Sequence, residues 1–132
     1  ERGDTIDSMD IIRKHWPLAH TNYDDFPFIT VAPQCPKYSY WPIEVYRLKA
    51  LIDDLIKAEI VHQDKLYLTG LSMGGYGTWY MSYRFPTLFK AIAPICGAGI
   101  RSSYERLLDL PIWLFNGTKD PVIPYEASGF QY

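Results

Sequence analysis

Five residues, Gly70-Leu71-Ser72-Met73-Gly74, constrain this chain more than any other stretch. They stand between an apolar, strand-like segment at 65–70 and a helix-like segment at 74–85 that is closed by Pro86. A G-x-S-x-G run in that position reads as a sharp strand-to-helix turn, the nucleophile elbow. Such a turn forces its central residue into a backbone conformation that L residues rarely adopt, and it brings strand and helix close together. Gly70 and Gly74 supply the room, and Gly75 extends it. The turn projects Ser72 Oγ from the end of a sheet. It also points the Met73 N–H, at the start of the helix, toward the charge that develops when a carbonyl is attacked. The competing interpretation is a glycine-rich turn with a bystander serine.

The rest of the chain alternates strand-like and helix-like segments, the pattern of an α/β fold with a mostly parallel sheet. Short apolar runs predict strands near 27–32, 65–70, 90–95 and 111–116. A helix is expected over 42–61, with Val45, Leu48, Leu51, Ile52 and Leu55 on one face and Asp53 and Lys57 as an i,i+4 pair. A shorter helix is expected over 6–16, stopped by Pro17. The 132 residues suit one domain, 1–132, and the 48% hydrophobic and 21% charged content is that of a folded chain. A net charge of −2 speaks against a nucleic-acid partner. No apolar run is long enough for a transmembrane segment. No His/Cys spacing suggests a metal, and no cofactor is implied.

A second motif follows the last strand-like run: Asn116-Gly117-Thr118-Lys119-Asp120-Pro121-Val122-Ile123-Pro124. An acid at the end of a later strand is what a serine nucleophile system needs to orient and charge-stabilise its histidine. By itself the motif reads as an ordinary Asp-Pro turn; placed after the Ser72 turn, Asp120 is expected to be that acid. Ser72 and Asp120 should share one sheet edge, close enough for an imidazole to bridge them. The aromatic stretch with Tyr38, Tyr40 and Trp41 follows a strand, which would place it at the same edge. It reads equally as a substrate pocket or as a surface loop.

On GLSMGG, the API-CG-G segment and the G-x-x-D-x-x-I-P segment, the chain from about Phe26 to Glu126 resembles the α/β-hydrolase superfamily. Its phospholipase/carboxylesterase, dienelactone-hydrolase and polyhydroxybutyrate-depolymerase-like esterases are the most similar. The resemblance implies a serine hydrolase acting on a small-molecule carboxylic ester through an acyl-enzyme. Ser72 would be the nucleophile, Asp120 the triad acid and Met73 an oxyanion-hole donor, with Gly70 and Gly74 in the elbow. Glu1-Arg2-Gly3-Asp4-Thr5 looks like the end of that family's HGxGERGD-type loop, which supplies a second oxyanion donor. Where the family commonly has His-Gly before the acid loop, this chain has Asn116-Gly117.

The family's triad runs Ser, Asp, His, whereas His15, His20 and His62 all precede Ser72. They fall in returns to the far edge of the sheet, so the resemblance implies a base beyond Tyr132 and an HGxG segment before Glu1. The 132 residues alone are therefore expected to lack turnover. The family's strand order would also set Cys35 and Cys96 roughly 14 Å apart, beyond the ~7 Å that a disulfide spans. Two other functions share these motifs: a prolyl-oligopeptidase-like serine peptidase, and a non-catalytic module of the same fold.

Overall fold

The computed structural model describes residues 2–3, 25–99 and 101–128. These residues form two compact units that divide between Tyr40 and Trp41.

In the first unit, β1 (Arg2–Gly3) pairs in parallel with β2 (Cys35–Pro36), Arg2 opposite Cys35 and Gly3 opposite Pro36. Cys35 is fully buried. The strand expected at 27–32 does not form, and Phe28, Ile29 and Val31 are exposed. Pro27 and Pro33 bracket that run without N–H groups, and an apolar run becomes a strand only where a ladder partner meets it. The pairing lies instead a few residues on, at Cys35–Pro36. The helix expected at 6–16 lies outside the described residues, as do Glu1, Asp4 and Thr5.

The second unit opens with α1 (Val45–Lys57), shorter than the expected 42–61 at both ends. At its start, Glu44 N–H donates to Trp41 C=O in a separate turn. At its end, Glu59 takes φ 57°. Glu59 N–H donates to Ile56 C=O and Ile60 N–H to Leu55 C=O, the paired bonds of a Schellman stop. Glycine is the usual residue at that left-handed position, so a Glu there gave the sequence pattern no stop signal. Asp53 pairs with Lys49 at 2.6 Å rather than with Lys57. Both pairings are one turn long and worth only about 0.2–0.5 kcal/mol.

β3 (Tyr67–Leu71) and β4 (Ala91–Ile95) pair in parallel, with Tyr67 opposite Ala91 through to Leu71 opposite Ile95. They are joined by α2 (Met73–Arg84). The last expected strand, 111–116, adds to the other edge of β4 through two parallel bridges, Ile92 to Ile112 and Ile95 to Phe115. Ile92 N–H donates to Pro111 C=O and Cys96 N–H to Phe115 C=O. Between them stands Pro94, which has no N–H, so the ladder is broken there and only its ends register. Helix α2 lies against β3 and β4. Val45, Trp79, Met81, Phe89, Ile92, Leu107 and Leu110 form the core, with Leu48 and Ile52 of α1 packed on it. A 3-10 segment, Arg101–Leu107, follows β4, and a single helical turn, α3 (Tyr125–Ser128), ends the described chain.

Candidate active site

Ser72 follows the last residue of β3 and precedes the first of α2, with φ 54° and ψ −112°. This is not the left-handed helical well but a sparsely populated region, and holding a residue there costs of order 1–3 kcal/mol. Two backbone bonds hold it: Ser72 N–H donates to Ile95 C=O at 2.9 Å, and Tyr76 N–H donates to Ser72 C=O at 3.1 Å. The side chain makes no capping bond to the helix and is exposed. The hydroxyl therefore stands at the C-terminal edge of the sheet, beside the first amides of a helix, whose N–H groups have no intrahelical acceptor.

That geometry requires close backbone approaches. A Cβ on Gly70 would run into the Gly74 backbone. Gly74 itself faces open space among the described residues, so its backbone rather than its missing side chain takes part in this approach. A second approach joins the helix to the end of β4. A Cβ on Gly75 would lie 2.6 Å from Ile95 O and 2.9 Å from Gly97 Cα, and a Cβ on Gly97 would meet the Gly75 backbone. Trp79, 2% exposed, fixes this crossing by donating its indole N–H to Gly97 C=O at 3.0 Å. Gly97→Ala is expected to cost about 1–3 kcal/mol of stability, seen as a lower urea midpoint at unchanged slope. Gly74→Ala should stay within about 0.5 kcal/mol of the parent protein. Equal midpoints for the two variants would refute the close-approach account.

Leu71, Ile95 and Phe115 stand level across three parallel segments. The residues that follow them, Ser72, Cys96 and Asn116, leave the sheet at one edge. Leu71 and Phe115 are two strand spacings apart, roughly 10 Å. Cys96, between them, also has positive φ, 40°. The Asp120 loop starts at Asn116. Asp120 N–H donates to Gly117 C=O at 3.1 Å, and Asp120 Oδ1 accepts from Val122 N–H at 2.9 Å and Ile123 N–H at 3.0 Å. The Ile123 amide, and then the Val122 amide, hold the carboxyl below the usual carboxylate range, against a smaller opposing effect of desolvation.

The other site residues are more scattered. His62 caps the 3-10 turn Gln63–Lys65, its Nδ1 accepting from Asp64 N–H at 3.2 Å. It precedes β3, so five strand residues put it roughly 17 Å from the serine end. His15 and His20 lie outside the described residues. Tyr38 and Tyr40 belong to the first unit and are exposed, Tyr38 with Lys37 Nζ 5.5 Å over its ring. Trp41 belongs to the second, where its Cβ lies 2.6 Å from the place of a Cβ on Gly77. Among the described residues no group of three or more His, Cys, Asp or Glu side chains is arranged to hold a metal. No described helix is long and apolar enough to cross a membrane. The Gly75–Gly97 crossing and the positive φ of Cys96 are not dictated by any single motif of the sequence. The run Cys96-Gly97-Ala98-Gly99 directly after a strand is the local hint of them.

No protein-family model matches the chain. Over 88% of its length it is 28% identical to a bifunctional acetylxylan esterase/xylanase of Neocallimastix patriciarum, of which it spans 18%. In structure it is similar to a thermostable esterase known from a crystal structure. The TM-score is 0.71 and the identity 41%, with 74% of this chain matched to 29% of that one. The chain thus spans less than a third of either protein. The parallel sheet with its flanking helices is an arrangement it shares with an esterase.

Proposed function

We propose that these residues carry the nucleophile and the acid of a serine hydrolase of the α/β-hydrolase type that cleaves carboxylic esters. The observation that carries the reading is Ser72: an exposed hydroxyl, free of capping, on a strained strand-to-helix turn. Strain of that kind persists where the surrounding structure over-determines it, and it clusters at sites of chemistry. Ser72 Oγ attacks the acyl carbon and gives its proton to a histidine. The Met73 N–H bonds the oxygen that becomes negative, and the alkoxide leaves with the histidine's proton. Water then attacks the acyl-enzyme with the same histidine as base, and the acid departs. Asp120 accepts the imidazole N–H at Oδ2, since Oδ1 already takes two backbone bonds. His62 is at the wrong edge for this role, and no histidine follows Asp120 in the sequence. The reading places the base in sequence beyond Tyr132.

That both similar proteins are named as esterases supports reading the substrate as an ester rather than a peptide. The name of one makes acetyl esters, including acetylated xylan, the first substrates to assay. The test is made on the full-length protein. It should hydrolyse p-nitrophenyl acetate, leave a prolyl-peptide fluorogenic substrate intact, and take up a fluorophosphonate on Ser72. Peptide cleavage without ester cleavage would turn the reading toward a peptidase. Absence of both activities and of the label would turn it toward a non-catalytic module.

A further inference from the structure

The loop that presents Asp120 is exposed along most of its length, with Gly117, Thr118, Lys119, Pro121 and Val122 all facing solvent. Two residues tie it to the fold. Ile123 buries its side chain to 4% exposure. Asn116, half-buried at the sheet edge, donates from Nδ2 to Gly117 C=O at 3.2 Å and to Ile123 C=O at 3.3 Å. The Ile123 residue is thus held on both sides of its backbone. Asn116 takes its carbonyl, and the Asp120 carboxylate takes its N–H at 3.0 Å.

We propose that Asn116 is a positioning residue that sets the Asp120 carboxylate through Ile123; this rests on the reading of Asp120 as the triad acid. The orientation of the amide follows from its neighbours. Both partners of Nδ2 are carbonyl oxygens, so the swapped amide would set oxygen against oxygen. That orientation leaves Asn116 Oδ1 buried with no donor among the described residues. Asparagine therefore acts here through its NH₂ end. What it supplies is a two-pronged N–H donor that spans the mouth of the loop. A leucine of similar size fills the space and loses the clamp. A histidine would retain one ring N–H donor in place of the two amide hydrogens. The second case is the His-Gly pattern that the sequence departs from.

The test is a kinetic comparison of variants of the full-length protein on p-nitrophenyl acetate. Asn116→Leu should lower kcat about 10- to 100-fold, with KM unchanged. Its acid limb in kcat/KM should move to lower pH, because a displaced carboxylate no longer raises the pKa of the histidine. Asn116→His should restore most of the loss and return the limb toward its original pH. If Asn116→Leu does not fold, Asn116→Ser, too short to reach Ile123, must show the same shift. A parent-like kcat and pH profile in these variants, beside a crippled Asp120→Asn, overturns the clamp and leaves the acid standing. Full activity in Asp120→Asn removes the acid itself, and the clamp with it.

Discussion

In the full-length protein, Ser72→Ala is expected to lower kcat/KM for a p-nitrophenyl ester at least about 10⁴-fold without unfolding it. The turn itself accounts for the retained stability. The serine side chain makes no capping bond and packs on nothing that buries it. Alanine also has a Cβ, so it bears the same backbone strain at φ 54°. Ser72→Gly separates the two roles further. Glycine enters that region at little steric cost, so the variant should be more stable than the parent by a part of the 1–3 kcal/mol strain, roughly 1 kcal/mol. It should be as inactive as the alanine variant. A gain in stability with loss of turnover is the signature of strain kept for chemistry. Substantial ester hydrolysis in either variant would leave the turn as a structural feature and end the nucleophile reading.

What the sequence made legible is what local chemistry dictates. The strand-to-helix turn at Ser72 was visible because the approach of β3 and α2 needs a glycine at 70, and the bound of α2 at Arg84 follows from Pro86 two residues on. The strands at 65–70 and 90–95 were legible as apolar runs in the right alternation. The strand at 111–116 was legible as a run, but not its interruption. That depended on Pro94 standing opposite Leu114 across the ladder, a pairing that no single segment announces. The strand at 27–32 failed for the same reason in stronger form: its apolar residues are real, and its pairing lies elsewhere. The end of α1 was hidden because Glu59 occupies a position where a glycine would have been a signal.

The site divides along the same line. Ser72, Met73, Gly70 and Asp120 sit in short motifs whose residue types carry their own chemical reason. Gly75 opposite Gly97, the Trp79 bond that fixes them, and the Asn116 clamp all join segments distant in sequence or lie across a loop. Their residue types are common, and only the fold makes them specific. The Asn116-Gly117 departure was visible as a difference, but its meaning lies in the two carbonyls that its amide reaches.

Asp120→Asn should produce the second large loss, about 10⁴-fold in kcat, with the loop intact at neutral pH. An asparagine Oδ1 accepts the Val122 and Ile123 N–H groups as the carboxylate does, and Ile123 stays buried. What disappears is the charge. The amide no longer stabilises the imidazolium formed as Ser72 attacks, and its NH₂ end favours the wrong histidine tautomer. The pH behaviour supplies an independent check. The Ile123 and Val122 amides lower the folded-state pKa of Asp120 relative to the unfolded chain. Its contribution to stability is therefore complete above the ordinary carboxylate pKa and is lost as pH falls through the lowered, folded-state value. The substituted amide has no proton to gain, so the variant lacks that acid-side loss. Urea midpoints measured from neutral pH down to pH about 3 should show the parent losing its advantage over Asp120→Asn only in the acid part of the range. Kinetics at neutral pH, where both loops are held, then report the charge alone. Near-parent turnover in Asp120→Asn there would mean that another group carries the acid's role.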